Sequence, residues 1–449
     1  MMPRVLVAQI GARMHYAVPR ILQEASALER FFTDICATGG WADAVAALPP
    51  GITPPTLRRL AMRRPAAVPS AKITSFPLFG LSFGFRRTRA RNASEAAQIY
   101  LDGGQAFCRR VLRRGFGRAS MVYAFDGAAL ELLREARRAG LTTVLEQTIA
   151  SVELQDRLML EQANRFPDWG ARAIDRKTVA ALCAHERAEW EAADLIVCGS
   201  EFVRQSIAES GGPAERCVVV PYGVDDRFVL PARDPRQGPL RVLSVGEVGL
   251  RKGSPHVMEA ARRLAGRAEF RMAGPCPLPS HVVAGAPANL QILGPVPRGD
   301  IRHHYAWADV FLLPSICEGS ATAVYEALAA GLPVVCTPNT GSVVEDGVQG
   351  FIIPAGDPDA IVAALETLAD NPARRRDMAE RAAQRFRDYD VDAYGRRLLA
   401  ALVAAANGQS PSQSSGPGET AAGSDEPLQP AKGGTPPDIK GRIPASVSR

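Results

Sequence analysis

The stretch 314–345, PSICEGSATAVYEALAAGLPVVCTPNTGSVVE, carries the clearest structural signal in this 449-residue chain. It follows an apolar run, 309–313, whose composition predicts a buried strand of a parallel sheet. After a short polar loop, Ser320 is a suitable helix N-cap, and residues 321–330 are mostly good helix formers. Gly331 ends that helix, and a second apolar strand follows at once. Acidic and small residues therefore stand at the carboxyl end of a strand, where open α/β sheets bind ligands.

Two carboxylates in this stretch, Glu318 and Glu326, stand about two helical turns apart. Gly319 and Ser320 lie beside the predicted helix N-terminus, whose N–H groups and partial positive charge suit a phosphate. Carboxylates at that place could accept hydrogen bonds from sugar hydroxyls. The same spacing is also typical of a solvated helix face, so the pair by itself leaves both interpretations open.

Further motifs appear in order around the pair: Glu-Gly, Glu-Ala and Ala-Gly-x-Pro-Val-Val, then Glu345 and Gly356-Asp357. Together they resemble the signature of the retaining glycosyltransferases of family four, most specifically over 185–400. The resemblance implies an α/β protein with the GT-B fold, in which two Rossmann-like doubly wound domains face a central cleft. It also implies sugar transfer from a nucleotide-sugar donor with retention of configuration, without a metal or another cofactor.

The chain divides into four predicted parts. Residues 1–230 form an acceptor-side domain, 240–385 a nucleotide-sugar-binding domain, 386–406 a final helix that returns toward the first domain, and 407–449 a disordered tail. The run PYGVD, 221–225, resembles the interdomain segment of the family.

Local patterns at the N-terminus and before residue 193 predict particular elements. Residues 5–10 read as a strand, 17–30 as a helix and 32–36 as a second strand. A helix is predicted over 174–193, and the charges of 185–191 are expected on its solvated face.

The loop GEVGLRKG, which starts at Gly246, is predicted to hold a diphosphate, because glycines bound it and Arg251 and Lys252 precede a helix. By resemblance, Lys252 binds the donor pyrophosphate. Many relatives carry an Arg where this chain has Glu247, so Arg251 would have to replace that charge.

The resemblance implies further roles in the second domain. Arg251 and Lys252, with the helix N-terminus at Ser320, would stabilise the leaving nucleoside diphosphate. Glu318 would bind hydroxyls of the donor sugar and Glu326 the ribose. The donor-binding set also includes Gly319 and Gly246, and the loop beginning at Gly294 would lie beside the base. Catalysis would then depend on positioning and electrostatics rather than on a nucleophilic side chain.

Acceptor-side candidates follow the strands of the first domain. Gly11, Arg13 and His15 lie in the turn after the first strand, where they could touch phosphates of donor or acceptor, although His15 also suits a capping or packing role. Relatives often carry a His near the end of the strand 142–146, where this chain has Glu146.

Charge is uneven along the chain, whose net charge is +6. Residues 53–118 hold 13 Arg and one Lys against Glu95 and Asp102. This segment is interpreted either as a solvated basic face or as a surface for anionic lipid headgroups, and no nucleic-acid module accompanies it. The eight Cys are scattered without metal-ligand spacing, which indicates a reduced protein without a structural metal.

The sequence therefore predicts a glycosyltransferase that is either cytoplasmic or peripheral on the inner face of the plasma membrane, and that uses a nucleotide sugar and a glycan or lipid-linked acceptor. Two alternatives stay open: a nucleotide-sugar epimerase or phosphorylase on the same fold, and a non-catalytic binding or scaffolding subunit. Glu247 and the missing acceptor-side His motivate the second alternative. An epimerase would change a nucleotide sugar without any acceptor.

Overall fold

The computed structural model of the chain describes residues 2–37, 44–45, 48, 60–61, 63–65, 67–170, 174–231 and 238–409. The predicted disordered tail lies outside these residues from position 410 onward, as do parts of the basic segment 53–118.

The first sheet has seven parallel strands in the order β3-β2-β1-β4-β5-β6-β7. Its strands are β1 Val5–Gln9, β2 Leu28–Thr33, β3 Ile73–Ser75, β4 Met121–Phe125, β5 Thr142–Gln147, β6 Leu195–Cys198 and β7 Cys217–Val219. Val7 pairs with Phe31 of β2 on one side and with Tyr123 of β4 on the other. The strand order reverses between β1 and β4, so the loops after these two strands border the crevice of the sheet.

The second sheet has six parallel strands in the order β10-β9-β8-β11-β12-β13. Its strands are β8 Leu240–Val245, β9 Ala268–Ala273, β10 Leu290–Gly294, β11 Val310–Leu313, β12 Val334–Cys336 and β13 Gly350–Ile352. Here the order reverses between β8 and β11, whose following loops contain the two stretches singled out from the sequence. The predicted α/β class with two doubly wound sheets is confirmed.

Helices cover both faces of the sheets, which explains why the strands are almost continuously apolar and buried. Within the described residues they are α1 Ala17–Glu24, α2 Pro77–Thr88, α3 Ala93–Leu112, α4 Leu130–Arg138, α5 Val152–Arg165, α6 Arg176–Ala192, α7 Glu201–Glu209, α8 Ser254–Arg263, α9 Ser280–Ala284, α10 Ile301–Trp307, α11 Thr322–Ala329, α12 Pro358–Asp370, α13 Pro372–Phe386 and α14 Val391–Ala406. Side chains cap several N-termini, as at Asn92, Ser151, Asp175 and Ser200.

The helix predicted over 17–30 and the strand predicted over 32–36 both have different bounds in the structure. The helix predicted over 17–30 ends at Glu24, and β2 already begins at Leu28. Ser26 turns the chain with φ 57°, and Phe31 and Phe32 then become fully buried. Burial of these two rings in the sheet outweighs the local helical pattern, since tertiary packing routinely overrides propensity.

The chain passes between the two sheets at two adjacent segments. Gly223 lies so close to Asp390 that a Cβ atom there would be 2.2 Å from the Asp390 carbonyl oxygen. Val224 pairs with Asp390 in an isolated parallel bridge. The last helix, α14, then packs on α1 of the first domain, with Gly395 facing Ile21.

Among the described residues, no helix is both long and apolar enough to cross a membrane. The eight cysteines are free thiols, and six of them are buried.

Candidate active site at the carboxyl edges of the two sheets

The glycine-bounded loop after β8 folds back on the loop after β11. Gly246, with φ 140°, lets the Lys252 side chain pass, because a Cβ atom at Gly246 would be 2.8 Å from Lys252 Cε. A Cβ atom at Gly253, with φ 69°, would be 2.0 Å from the Pro314 carbonyl oxygen. The Arg251 carbonyl accepts a 2.9 Å hydrogen bond from the Ile316 N–H. The two loops are therefore joined through backbone as well as side chains.

Glu318 binds both cations of this loop. Lys252 Nζ lies 2.8 Å from Glu318 Oε1, and Arg251 Nη1 contacts the same oxygen. Burial lowers the pKa of Lys252, and the negative charge of Glu318 opposes that shift. Arg251, Lys252 and Glu318 together carry a net charge of +1, which favours an additional anion at this point.

Ser320 is not the N-cap that the sequence predicts. Helix α11 begins at Thr322, its N-cap is Ala321, and no side chain caps it. The Ser320 hydroxyl lies 2.8 Å from the Tyr325 hydroxyl instead. Ser320 is buried, so its oxygen is used inside the fold.

Glu326 projects from α11 into a second polar cluster. Its Oε2 accepts a 2.7 Å hydrogen bond from the Tyr305 hydroxyl. Burial raises the pKa of Glu326, whereas that hydrogen bond and the charges of Arg298 and Arg227 lower it. Neither Glu318 nor Glu326 lies on a solvated helix face, so that alternative for the pair is wrong.

Asp225, at the end of the PYGVD segment, gathers three guanidinium groups. It contacts Arg227 directly, and it lies 3.6 Å from Arg20 and 3.8 Å from Arg298. Burial lowers the pKa of Arg298 to about 10. This cluster brings α1, the interdomain segment and the loop after β10 together.

The turn after β1 holds an unusual backbone conformation. Met14, His15 and Tyr16 have φ values of 46°, 50° and 65°, a left-handed conformation that non-glycine residues rarely adopt. Desolvation in the cleft and the positive charges of Arg298 and Arg227 lower the pKa of His15 to about 4. The imidazole at the rim of the cleft is therefore neutral near neutral pH.

Arg13 and Gly11 line the edge of the first sheet. Arg13 donates to Thr148 Oγ1 at 2.6 Å and to Asp126 Oδ1 at 3.2 Å. The Gly11 N–H donates to Asp34 Oδ1 at 2.9 Å. Arg13 thus ties the β1 turn to the loops after β4 and β5.

Glu146 does not line the cleft. Its two oxygens accept hydrogen bonds from the hydroxyls of Tyr123 at 2.6 Å and Tyr222 at 2.8 Å, and its side chain is fully buried. Burial raises the pKa of Glu146 to about 7. The expectation that Glu146 reaches an acceptor is contradicted, because no part of it is exposed to solvent.

The charges of 185–191 do not all form a solvated face. Glu189 is buried and accepts 2.9 Å hydrogen bonds from the N–H groups of Gly127 and Ala129. Glu186 is also buried and accepts from Gln147 Nε2 at 2.9 Å. Both carboxylates hold loops at the edge of the first sheet, so the solvated-face expectation is wrong for them.

Gly319 lies against the backbone of the first domain. A Cβ atom there would be 1.8 Å from the Thr148 carbonyl oxygen, and the Ser200 hydroxyl donates to the Gly319 carbonyl. A second contact joins α5 to α8, where Gln162 Oε1 and His256 Nε2 are 3.1 Å apart. The first domain therefore closes over the loop that carries Glu318.

The remaining donor-side candidates lie at the same edge of the second sheet. Gly294 ends β10 with φ 69°, and its carbonyl accepts from the Gly274 N–H at 2.9 Å. Glu247 is exposed, and its charge acts on Lys252. In the part of the chain that the structure describes, no three His, Cys, Asp or Glu side chains are grouped to hold a metal ion.

Sequence reasoning missed three residues at this site: Asp225, Arg227 and Thr148. The first two belong to PYGVDDR, 221–227, where three charged residues close to an interdomain glycine were a usable signal. Thr148 carries no such pattern, because its role depends on Gly319, which is 171 positions later in the chain.

Comparison with solved structures identifies the fold class. The fold is similar to HepE of Anabaena in complex with UDP and glucose, with TM-score 0.59 and 16% identity over 90% of this chain and 100% of that one. It is also similar to sucrose-phosphate synthase from Thermosynechococcus elongatus, with TM-score 0.61 and 14% identity over 88% and 96% of the two chains. The fold is GT-B, as expected from the sequence.

Sequence comparison then gives the family. Residues 231–385 match the family described as glycosyl transferases group 1, and the resemblance is confirmed over this segment. The chain is 32% identical to the amylovoran biosynthesis glycosyltransferase AmsK of Erwinia amylovora over 40% of this chain and 48% of that protein. It is 30% identical to the putative colanic acid biosynthesis glycosyltransferase WcaL of Salmonella typhimurium over 46% and 56% of the two chains. The chain thus spans about half the length of the curated relatives it matches.

Proposed function

We propose that the protein is a retaining glycosyltransferase that moves a sugar from a nucleotide-sugar donor to an acceptor in polysaccharide or lipid-linked glycan synthesis. The observation that carries this proposal is the meeting of Lys252, Arg251 and Glu318 at the switch point of the second sheet, opposite the first domain. Relatives named for amylovoran and colanic acid biosynthesis support the polysaccharide class. The complex of HepE with UDP and glucose supports a nucleotide-sugar donor.

In this proposal the second domain holds the donor. Lys252 and Arg251 would stabilise the negative charge that develops on the leaving diphosphate, because the two cations and Glu318 leave a net positive charge there. Glu318 keeps both cations in place and accepts hydrogen bonds from hydroxyls of the donor sugar. Glu326, oriented by Tyr305, accepts hydrogen bonds from the ribose. The reaction as proposed requires no metal.

The acceptor enters from the first domain. Arg13 and His15 border the cleft on that side, and the neutral imidazole of His15 can accept a hydrogen bond from an acceptor hydroxyl. Glu146 takes no part in this scheme, since it is enclosed by two tyrosines.

A thermal-shift screen of the purified chain against UDP-, GDP- and ADP-sugars identifies the donor, because a ligand that binds the folded state raises Tm. The stabilising donor is then incubated with acceptor lipids and glycans, with and without a chelator. Transfer that survives chelation, with the donor's anomeric configuration kept in the product, is the expected result. A change of the nucleotide sugar without acceptor would identify an epimerase.

A second candidate, a non-catalytic binding subunit, is favoured by one observation. Glu247 places a negative charge at the loop proposed to hold the diphosphate. Donor binding without turnover across the acceptor panel, in both the natural chain and Glu247→Arg, would support this candidate and overturn the transferase.

A further inference from the structure

Helix α2 presents a second apolar stripe away from the protein. Its inner face buries Phe79 and Phe83, whereas Leu78 is 84%, Leu81 55% and Phe85 56% exposed. The three exposed residues stand at i, i+3 and i+7, so they share one side of the helix. We call these three residues the α2 face.

The segment that forms α2 and α3 is strongly basic. Residues 77–118 contain nine Arg and only Glu95 and Asp102, a net charge of +7 against +6 for the whole chain. The net positive charge of the chain is therefore concentrated in α2, α3 and the turns that follow them.

Contacts place two of these arginines near the two ends of helix α2, Arg89 on the exposed ring of Phe85 and Arg110 on the inner ring of Phe79. At the C-terminal end, the Arg89 guanidinium lies 4.2 Å from the centre of the Phe85 ring. At the N-terminal end, the Arg110 guanidinium lies 4.9 Å from the centre of the Phe79 ring. Helices α2 and α3 thus pack antiparallel, and the basic end of α3 lies beside the start of α2.

We propose that the α2 face docks on an anionic lipid bilayer. Exposed Leu and Phe side chains can enter the boundary between headgroups and acyl chains, while the arginines around them meet lipid phosphates. A nucleic acid would use the arginines but gain little from Leu78 and Leu81. Anionic lipid is the partner for which both the apolar stripe and its charged rim are useful.

Helix α2 packs on α3 and is connected through it to the acceptor side of the first sheet. Helix α3 touches the loop after β4, since a Cβ atom at Gly104 would be 2.0 Å from the Gly127 carbonyl oxygen. The same loop carries Asp126, which binds Arg13 at the edge of the first sheet. The proposed docking surface and the proposed acceptor-side residues thus belong to the same domain, which suits a lipid-linked acceptor.

The test is flotation of the full chain with vesicles of phosphatidylcholine alone or with phosphatidylglycerol. The natural chain is expected to float only with the anionic vesicles, and less so at high salt. The triple variant L78S/L81S/F85S is expected to lose more than about tenfold in binding. Exchange of Arg113 and Arg114 for Gln is expected to lose about fivefold for each charge.

Val283→Ser is the matched control, because Val283 is an exposed apolar residue of the second domain. It is expected to float like the natural chain, and thermal unfolding checks that every variant is folded. Equal flotation with neutral vesicles, or full binding by the folded triple variant, overturns the proposal. Self-association without vesicles that the triple variant abolishes would assign the face to a second copy and also overturn it. Flotation and thermal unfolding do not require sugar transfer. Their outcome therefore tests membrane docking independently of the proposed glycosyltransferase activity.

Discussion

Lys252 Nζ and Glu318 Oε1 are 2.8 Å apart, and this ion pair joins the loops after the two strands at which the second sheet reverses its order. Arg251 contacts the same carboxylate oxygen. Glu318 is thus shared between two cations, and the site keeps a net positive charge at the floor of the cleft. The donor-binding proposal depends on this charge.

Replacing Lys252 with Ala is expected to lower kcat/KM for transfer by about 10²–10³-fold, because a preorganised charge at the leaving group is lost. The protein stays folded, since Arg251 still pairs with Glu318. Steady-state kinetics and thermal unfolding measure the two effects. Lys177→Ala, at an exposed position of α6, is the matched control and is expected to behave like the natural chain. Normal turnover by Lys252→Ala would remove this lysine from the site.

Glu326→Gln is expected to weaken binding of the donor's nucleoside diphosphate about ten- to hundredfold, as loss of a charged hydrogen-bond acceptor does. The amide can still accept from Tyr305, so the fold is kept. Tyr305→Phe retains the carboxylate but removes the hydrogen bond that orients it, and its loss is expected to be smaller. Isothermal titration calorimetry gives both affinities. Unchanged affinity in Glu326→Gln would contradict the ribose-binding role.

Gly319→Ala is expected to destabilise the closed arrangement of the domains. A methyl group there would lie 1.8 Å from the Thr148 carbonyl oxygen. Gly319 and Thr148 are in loops that follow strands of the two sheets, so relief of the clash would shift one domain relative to the other. The expected loss is about 1–3 kcal/mol of unfolding free energy, as for other overpacked sites. Urea unfolding measures it. Gly299→Ala, where a Cβ atom meets nothing within 4 Å, is the control and should stay within about 0.5 kcal/mol.

The buried Glu146 is expected to make stability depend on pH. Its pKa is raised to about 7 from an ordinary value of 4.5, so the folded state keeps a proton that the unfolded chain releases. This contribution is fully present below about pH 4.5 and is lost as the pH rises through about 7.

Glu146→Gln should reduce the drop in unfolding free energy between about pH 5 and pH 8 by on the order of 3 kcal/mol. Part of the drop remains, because burial also raises the pKa of Glu186 to about 7. Urea titrations at the two pH values measure the difference. An identical drop in natural and variant chains would show that Glu146 is ionised in the folded protein.

Local sequence was enough for the repeating architecture. The predicted strand 5–10 and the predicted helix 174–193 agree with β1 and α6 to within two residues at each end, whereas the final helix predicted over 386–406 begins only at Val391. Such features depend on neighbouring residues: apolar runs, glycine stops and prolines act within a few positions. The loops with Lys252 and Glu318 were found the same way, since their residue types and order are local.

Only the tertiary structure showed which side chains are buried and which residues they contact. Tyr222, 76 positions along the chain, encloses Glu146, and Glu189 holds an N–H group 62 positions away. Asp225 meets Arg298, and Gly319 meets Thr148, only because two sheets are brought edge to edge. Whether a carboxylate is a solvated charge, a protonated core group or part of a site depends on its dielectric surroundings and its partners, and those are set by residues far apart in the sequence.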